Sequence, residues 1–238
     1  MSGEGPLKVL SARAVHVAVS ALAAEFARDG GRKTEIVYAP IGVLQQKLAA
    51  GEDADVVILT PQALERLETS NRLVAGSRRV LGRTGIGVAV RTGAEKPDIA
   101  TPQGFKQALL AAGSVALSDP AVGGSAGLYL HGLLARMGIA EAVDGKARLQ
   151  PSGAAVAESV ARGEADIGMT FISEMLPVNG ISIVGPLPPP LGNDTTYAAA
   201  VLLSSIDPVS ALAFIATLSR PDRRNVWNAS GFAPASGP

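Results

Sequence analysis

Ser118-Asp119-Pro120-Ala121-Val122-Gly123-Gly124-Ser125-Ala126-Gly127-Leu128-Tyr129 decides the fold. The apolar run before it, Ser114 to Leu117, reads as a strand, and an amphipathic helical pattern follows from about Ser125 to Met137. A strand that ends in Gly and Ser and reopens as a helix aims unpaired backbone N–H groups at whatever lies in front. The positive end of the helix dipole points the same way. Such a turn is an anion seat made of main chain.

Working outward, the same alternation continues in both directions. Toward the N-terminus, Leu7 to Leu10, Thr34 to Ala39 and Asp55 to Leu59 read as strands. Helices are expected over about Ala14 to Asp29 and Val43 to Ala50, with a third opened by Pro61 at its first position. Val80 to Val90 is a longer extended segment, and Thr101-Pro102 opens a helix with threonine as its cap. Beyond the glycine turn, Ala147 to Gln150, Asp166 to Phe171 and Ile181 to Val184 read as strands, and Gly153 to Arg162 as a helix. The proline run Pro186 to Pro190 is a stiff connector. Thr195 to Leu203 is extended, and helices at about Pro208 to Leu218 and Pro221 to Ala229 finish the pattern. Repeated βα units imply a largely parallel sheet with helices on its faces.

Two extended segments, Val80 to Val90 and Thr195 to Leu203, are placed to cross between lobes. The expected architecture is therefore α/β, with two Rossmann-like lobes. Residues 1–82 with 195–238 form lobe one, and residues 83–194 form lobe two. The cleft between them is the expected ligand location, and paired crossings permit hinged closure.

Composition narrows the chemistry. The 238 residues are 47% hydrophobic and 18% charged, which describes a well-buried globular chain. Lys and Arg total 21 against 21 Asp and Glu, and no basic run suggests a nucleic-acid footprint. Without cysteine there are no disulfides, thiolate metal sites or cysteine nucleophiles, and two histidines make a multi-histidine metal centre a poor reading. No phosphate-binding P-loop, dinucleotide fingerprint or G-x-S-x-G nucleophile elbow is present, and no cofactor is expected. Met1 to Pro6 shows no cationic segment followed by an apolar one. A periplasmic location is expected if a leader has been removed, and a cytoplasmic one otherwise.

Four motifs in register carry a family resemblance. They are Lys8-Val9-Leu10-Ser11-Ala12, Ala50-Gly51-Glu52-Asp53-Ala54-Asp55-Val56-Val57-Ile58, Ser118-Asp119-Pro120 with Ala126-Gly127-Leu128-Tyr129, and Gly163-Glu164-Ala165-Asp166-Ile167-Gly168. Together they resemble the periplasmic molybdate-binding proteins, the substrate-binding components of oxyanion ABC importers, from about Leu7 to Phe232. The resemblance implies a type II periplasmic-binding fold. It also implies that hydroxyl donors of that family correspond to Ala14, Ile41 and Phe171 here. Each exchange removes a donor, and a dry oxyanion site does not tolerate unsatisfied charge. Molybdate and tungstate are therefore poor ligands for this chain.

The first loop gains Arg13, next to Ala14, with His16 one turn into the helix. A guanidinium is a planar fork suited to a carboxylate. Ligand contacts are accordingly expected from Ser11, Arg13, Ala14, Ile41, Thr60, Ser125, Ala126, Gly127, Gly153, Phe171 and Tyr197, with no metal. Thr60 serves equally as the cap before Pro61, and Ser173 and Glu174 read as helix-cap residues. Asp55 and Asp166 read as structural members of their acidic turns.

Two functions fit. One is a monomeric solute-binding protein that captures a small organic anion, a di- or tricarboxylate, and delivers it to the membrane subunits of an ABC importer if secreted. The other is a cofactor-independent isomerase on the same scaffold, since the wider family includes an aconitate isomerase. In that case His16 is the base.

Overall fold

A computed structural model describes residues 5–234. In chain order its strands and helices are β1 (Leu7–Ala12), α1 (His16–Arg28), β2 (Thr34–Ala39), α2 (Ile41–Ala49), β3 (Val56–Leu59), α3 (Pro61–Thr69) and β4 (Arg79–Arg91). There follow α4 (Pro102–Ala111), β5 (Val115–Ser118), α5 (Ser125–Arg136), α6 (Ala140–Asp144), β6 (Ala147–Gln150), α7 (Gly153–Ala161), β7 (Ile167–Phe171) and α8 (Ile172–Met175). Last come β8 (Ile181–Pro186), β9 (Asp194–Val201), α9 (Pro208–Ser219) and α10 (Arg224–Ala229). The chain divides into two compact units. One holds the described residues up to Arg83 and from Thr195 onward; the other is Thr84–Asp194.

In the first unit the strand order is β2-β1-β3-β9. Strand β1 runs parallel to both β2 and β3, whereas β9 runs antiparallel to β3, with Leu59 opposite Ala198. Val56-Val57-Ile58-Leu59 is a continuous apolar run with every residue buried, as a strand covered on both faces requires. Leu10, Leu44, Leu48, Val57, Leu59 and Leu64 join Ala198 and Ala200 in one core.

The second unit repeats the scheme. Strand β5 lies between β6 and β7, parallel to each, and β4 runs antiparallel to β7 and β8. Helix α7 packs on this sheet through Val156 and Val160, against Ala116. The largely parallel sheet expected from the βα rhythm is thus corrected to three parallel strands plus antiparallel additions in each unit. The additions are β9, antiparallel to β3, and β4, antiparallel to β7 and β8; an antiparallel neighbour needs no crossover of the kind a parallel return demands.

Helix starts follow capping chemistry. Thr101 accepts from the Gly104 amide, Ser152 from Ala155, and Asp207 from Ser210, each at 3.0 to 3.2 Å. Three local expectations change. The first helix begins at His16, because Arg13–Val15 forms a 3-10 turn. Ser173 is not a cap: it lies inside α8, whose N-cap is Phe171, and it is buried with its hydroxyl unpartnered. The proline connector starts later, since Pro186 still belongs to β8.

Candidate functional site

Parallel strands put their C-terminal ends on one edge, where chain reversals expose backbone N–H groups and loop side chains. In the first unit that edge carries Ser11 and Ala12 at the end of β1 and Arg13 after it, Pro40 and Ile41 after β2, and Thr60 after β3. Arg13 is exposed, and among the described residues its guanidinium takes part in no hydrogen bond or ion pair. Ala14 beside it is buried, and Ile41 is half-buried at the start of α2. Thr60 occupies the N-cap position of α3, yet its side chain makes no capping bond, so its hydroxyl is left to other partners.

His16 is exposed at the start of α1 and meets Tyr38 edge-on, with ring centroids 5.3 Å apart. The Tyr38 hydroxyl lies 2.8 Å from that of Ser20. Desolvation by partial burial, and then the charge of Arg13, hold the His16 imidazole below its ordinary pKa. Burial likewise pushes the Tyr38 phenol up, partly offset by Ser20. An imidazole biased toward its neutral form thus lies three residues from a guanidinium that has no partner among the described residues.

Two of the expected ligand residues are enclosed. Ser11 is fully buried, and its hydroxyl donates to the Ala12 carbonyl at 3.3 Å. Tyr197 is 1% exposed, and its ring packs edge-on against Phe232, which in turn meets Trp227. Arg83 donates from Nε to the Pro234 carbonyl at 3.1 Å.

In the second unit the corresponding edge carries the glycine turn. Gly123 is left-handed at φ 75°, which turns the chain so that Gly124 becomes the N-cap of α5. The first bond inside this helix runs from the Leu128 amide to the Gly124 carbonyl, so the amides of Ser125, Ala126 and Gly127 precede the helical ladder. Gly127 is required for this packing: a Cβ there would lie 2.6 Å from the Ser118 carbonyl oxygen. Asp119, the nearest acid in the turn, is engaged by the Ala121 amide at 2.8 Å.

The same edge holds Gly153 at the first position of α7 and Phe171 at the end of β7, both buried. A Cβ on Gly153 would collide with the Glu174 carboxylate and the Thr170 hydroxyl. Thr170 donates to Glu174 at 3.2 Å. Glu174, expected as a helix-cap residue, lies inside α8 and against Gly153, and Thr170 is the residue at this position that the sequence reading misses. The available signal was the i, i+4 spacing of Thr170 and Glu174 across the strand end. Among the described residues no cluster of three or more His, Cys, Asp or Glu could hold a metal, and no helix is long and apolar enough to cross a membrane.

Comparison with known proteins adds lineage. The family model for bacterial extracellular solute-binding proteins matches residues 7–233. An aconitate isomerase of a Pseudomonas species is 37% identical over 96% of this chain and 87% of its own length. The molybdate-binding protein of Escherichia coli K12 is 22% identical over 98% of this chain and 90% of its own length. Among solved structures, the periplasmic molybdate-binding protein of Azotobacter vinelandii superposes with a TM-score of 0.80 at 20% identity. That match covers 97% of this chain and 100% of the other.

Proposed function

The chain belongs to the family of bacterial extracellular solute-binding proteins, and from that premise we propose that its solute is a small organic polycarboxylate. In the first unit Arg13 is the donor to a carboxylate, beside Ala14, Ile41 and Thr60. In the second, the Ser125-Ala126-Gly127 amides are a carboxylate seat on the edge that carries Phe171. The observation that carries this reading is the exposed, unpaired Arg13 at the end of β1, beside a methyl side chain. A guanidinium fork matches the plane of a carboxylate and is always charged. The protein acts as a monomer outside the cytoplasm, and as a binder its partner is the membrane part of an ABC importer.

A second reading is favoured by the 37% identity to an aconitate isomerase. The neutral His16 takes a proton from the methylene carbon of a bound unsaturated tricarboxylate. The electron pair spreads over the allylic system onto a carboxylate, steadied by Arg13. The double bond shifts, and the imidazolium returns the proton to the other end of the allylic system. No oxidant, metal or cofactor enters the balance.

One set of measurements tests both readings. Thermal-shift and calorimetric titrations compare di- and tricarboxylates with molybdate, sulfate and phosphate. Tricarboxylates are expected to stabilise the protein, and Arg13→Ala to weaken them about tenfold to a hundredfold, the range for a lost charged hydrogen bond. Unchanged tricarboxylate binding by Arg13→Ala rejects the carboxylate reading. Incubating cis-aconitate in heavy water with catalytic protein, followed by NMR, separates the two functions. The trans isomer with incorporated deuterium establishes catalysis, and unaltered ligand leaves the binder.

A further inference from the structure

We propose that Glu174 closes this protein to inorganic oxyanions by supplying, from its own side chain, the anion at the head of α7. The inference rests on the carboxylate reading and deepens it, because it assigns a residue that sets specificity. Helix α7 spans nine residues, Gly153–Ala161, and its first amides have no partner within the helix. Ser152 takes one of them, from Ala155. The Glu174 carboxylate is packed so closely on Gly153 that no side chain fits there, and the buried Thr170 hydroxyl holds that carboxylate at 3.2 Å. The negative group thus lies where the helix dipole is positive, and it is fixed from two sides.

An oxyanion approaching the same place meets filled volume and like charge together. Either alone discriminates; the two combined form a repulsive element built against the wrong ligand. The head of α5 on the same edge differs. Its turn is Gly123-Gly124-Ser125, and the adjacent Asp119 is committed to Ala121. Of the two helix heads, α5 presents three amides ahead of its ladder, whereas the space beside the head of α7 is occupied by the Glu174 carboxylate. A tetrahedral dianion needs donors on several sides, whereas a planar carboxylate on an extended molecule needs one such seat. Glu174 therefore converts a two-helix oxyanion edge into a one-carboxylate edge.

The test uses the full chain with Glu174→Ala, which removes volume and charge, and Glu174→Gln, which removes charge alone and preserves the contact with Thr170. Binding of molybdate, sulfate and a tricarboxylate is followed by calorimetry, and folding by circular dichroism. The wild-type protein is expected to bind neither oxyanion. Glu174→Ala is expected to gain molybdate or sulfate affinity by about tenfold or more over wild type, and Glu174→Gln by less. Oxyanion binding by the wild type, or no gain in either variant that folds, overturns the proposal. If Arg13→Ala keeps tricarboxylate binding while Glu174→Ala gains oxyanion binding, the carboxylate reading fails and the role of Glu174 stands. If Arg13→Ala loses tricarboxylate binding and neither Glu174 variant gains oxyanion binding, only the role of Glu174 fails.

Discussion

At the residue scale, His16 and Arg13 are best treated as one electrostatic unit. Burial is the larger cause of the lowered His16 pKa and the Arg13 charge the second. Because the folded value lies below the unfolded one, protons favour the unfolded chain. The stability tied to a neutral His16 is full above about pH 6.5 and declines as the pH falls below it. Removing the neighbouring charge relieves one of the two causes. Arg13→Ala is therefore expected to move the His16 titration midpoint upward, read from the imidazole C–H resonances. An unmoved or lower midpoint would show that Arg13 does not act on the ring.

At the scale of elements, the two units repeat one device. In Gly51-Glu52-Asp53-Ala54-Asp55, the Asp55 carboxylate accepts the Lys8 amide at 2.9 Å and the Ser205 hydroxyl at 2.7 Å. In Gly163-Glu164-Ala165-Asp166, the Asp166 carboxylate accepts the amides of Gly113 and Ser114 at 2.8 and 3.0 Å. Each acid holds the entry of the strand beside its own, β1 and β5 respectively. Asp55 is buried and Asp166 exposed, so the cost of losing them differs. Asp55→Ala should destabilise by about 2–3 kcal/mol and Asp166→Ala by about 1 kcal/mol, measured by urea unfolding. Equal losses would contradict the burial argument.

This device also shows what the sequence made legible. Strands β2 and β6 match their expected bounds, because apolar runs between turn residues leave little choice. The cap at Thr101 and the glycine turn before α5 follow from local chemistry in the same way. The enclosure of Ser11 and Tyr197 is less legible because it is tertiary: a polar residue at a strand end is enclosed or open according to what packs over it. Tyr197 sits one residue beyond the pairing of Ala198 with Leu59, near the right edge, yet Phe232 from far along the chain covers it. The seat of Glu174 was hidden for a related reason. It depends on the approach of α8 to the head of α7, and the four residues of α8 are too few to show a period.

At the scale of the molecule, long-range ties close the first unit. Arg32, before β2, pairs with Asp207 at 2.7 Å, and Asp207 also caps α9 through Ser210. The bonds from Ser210, and then the Arg32 guanidinium, hold the Asp207 carboxyl down to about 2. With the folded value depressed, this stabilisation is complete above the ordinary carboxylate range and is lost as the pH falls through it toward about 2. Asp207→Asn should therefore lower the melting temperature at neutral pH and narrow the gap to wild type as the pH approaches 2. A gap that stays constant across that range would exclude the ion pair as its source.

The first unit is made of two stretches far apart in the chain, and β9 is the partner β3 waits for. On a translating ribosome, the buried-type edge Val56-Val57-Ile58-Leu59 stays bare while everything between is synthesised, an interval of roughly 7 to 28 s at ordinary elongation rates. The second unit, continuous in sequence, has all its strands in hand sooner. A nascent chain of this design completes its inserted half first and keeps the flanking half loose until its final residues emerge.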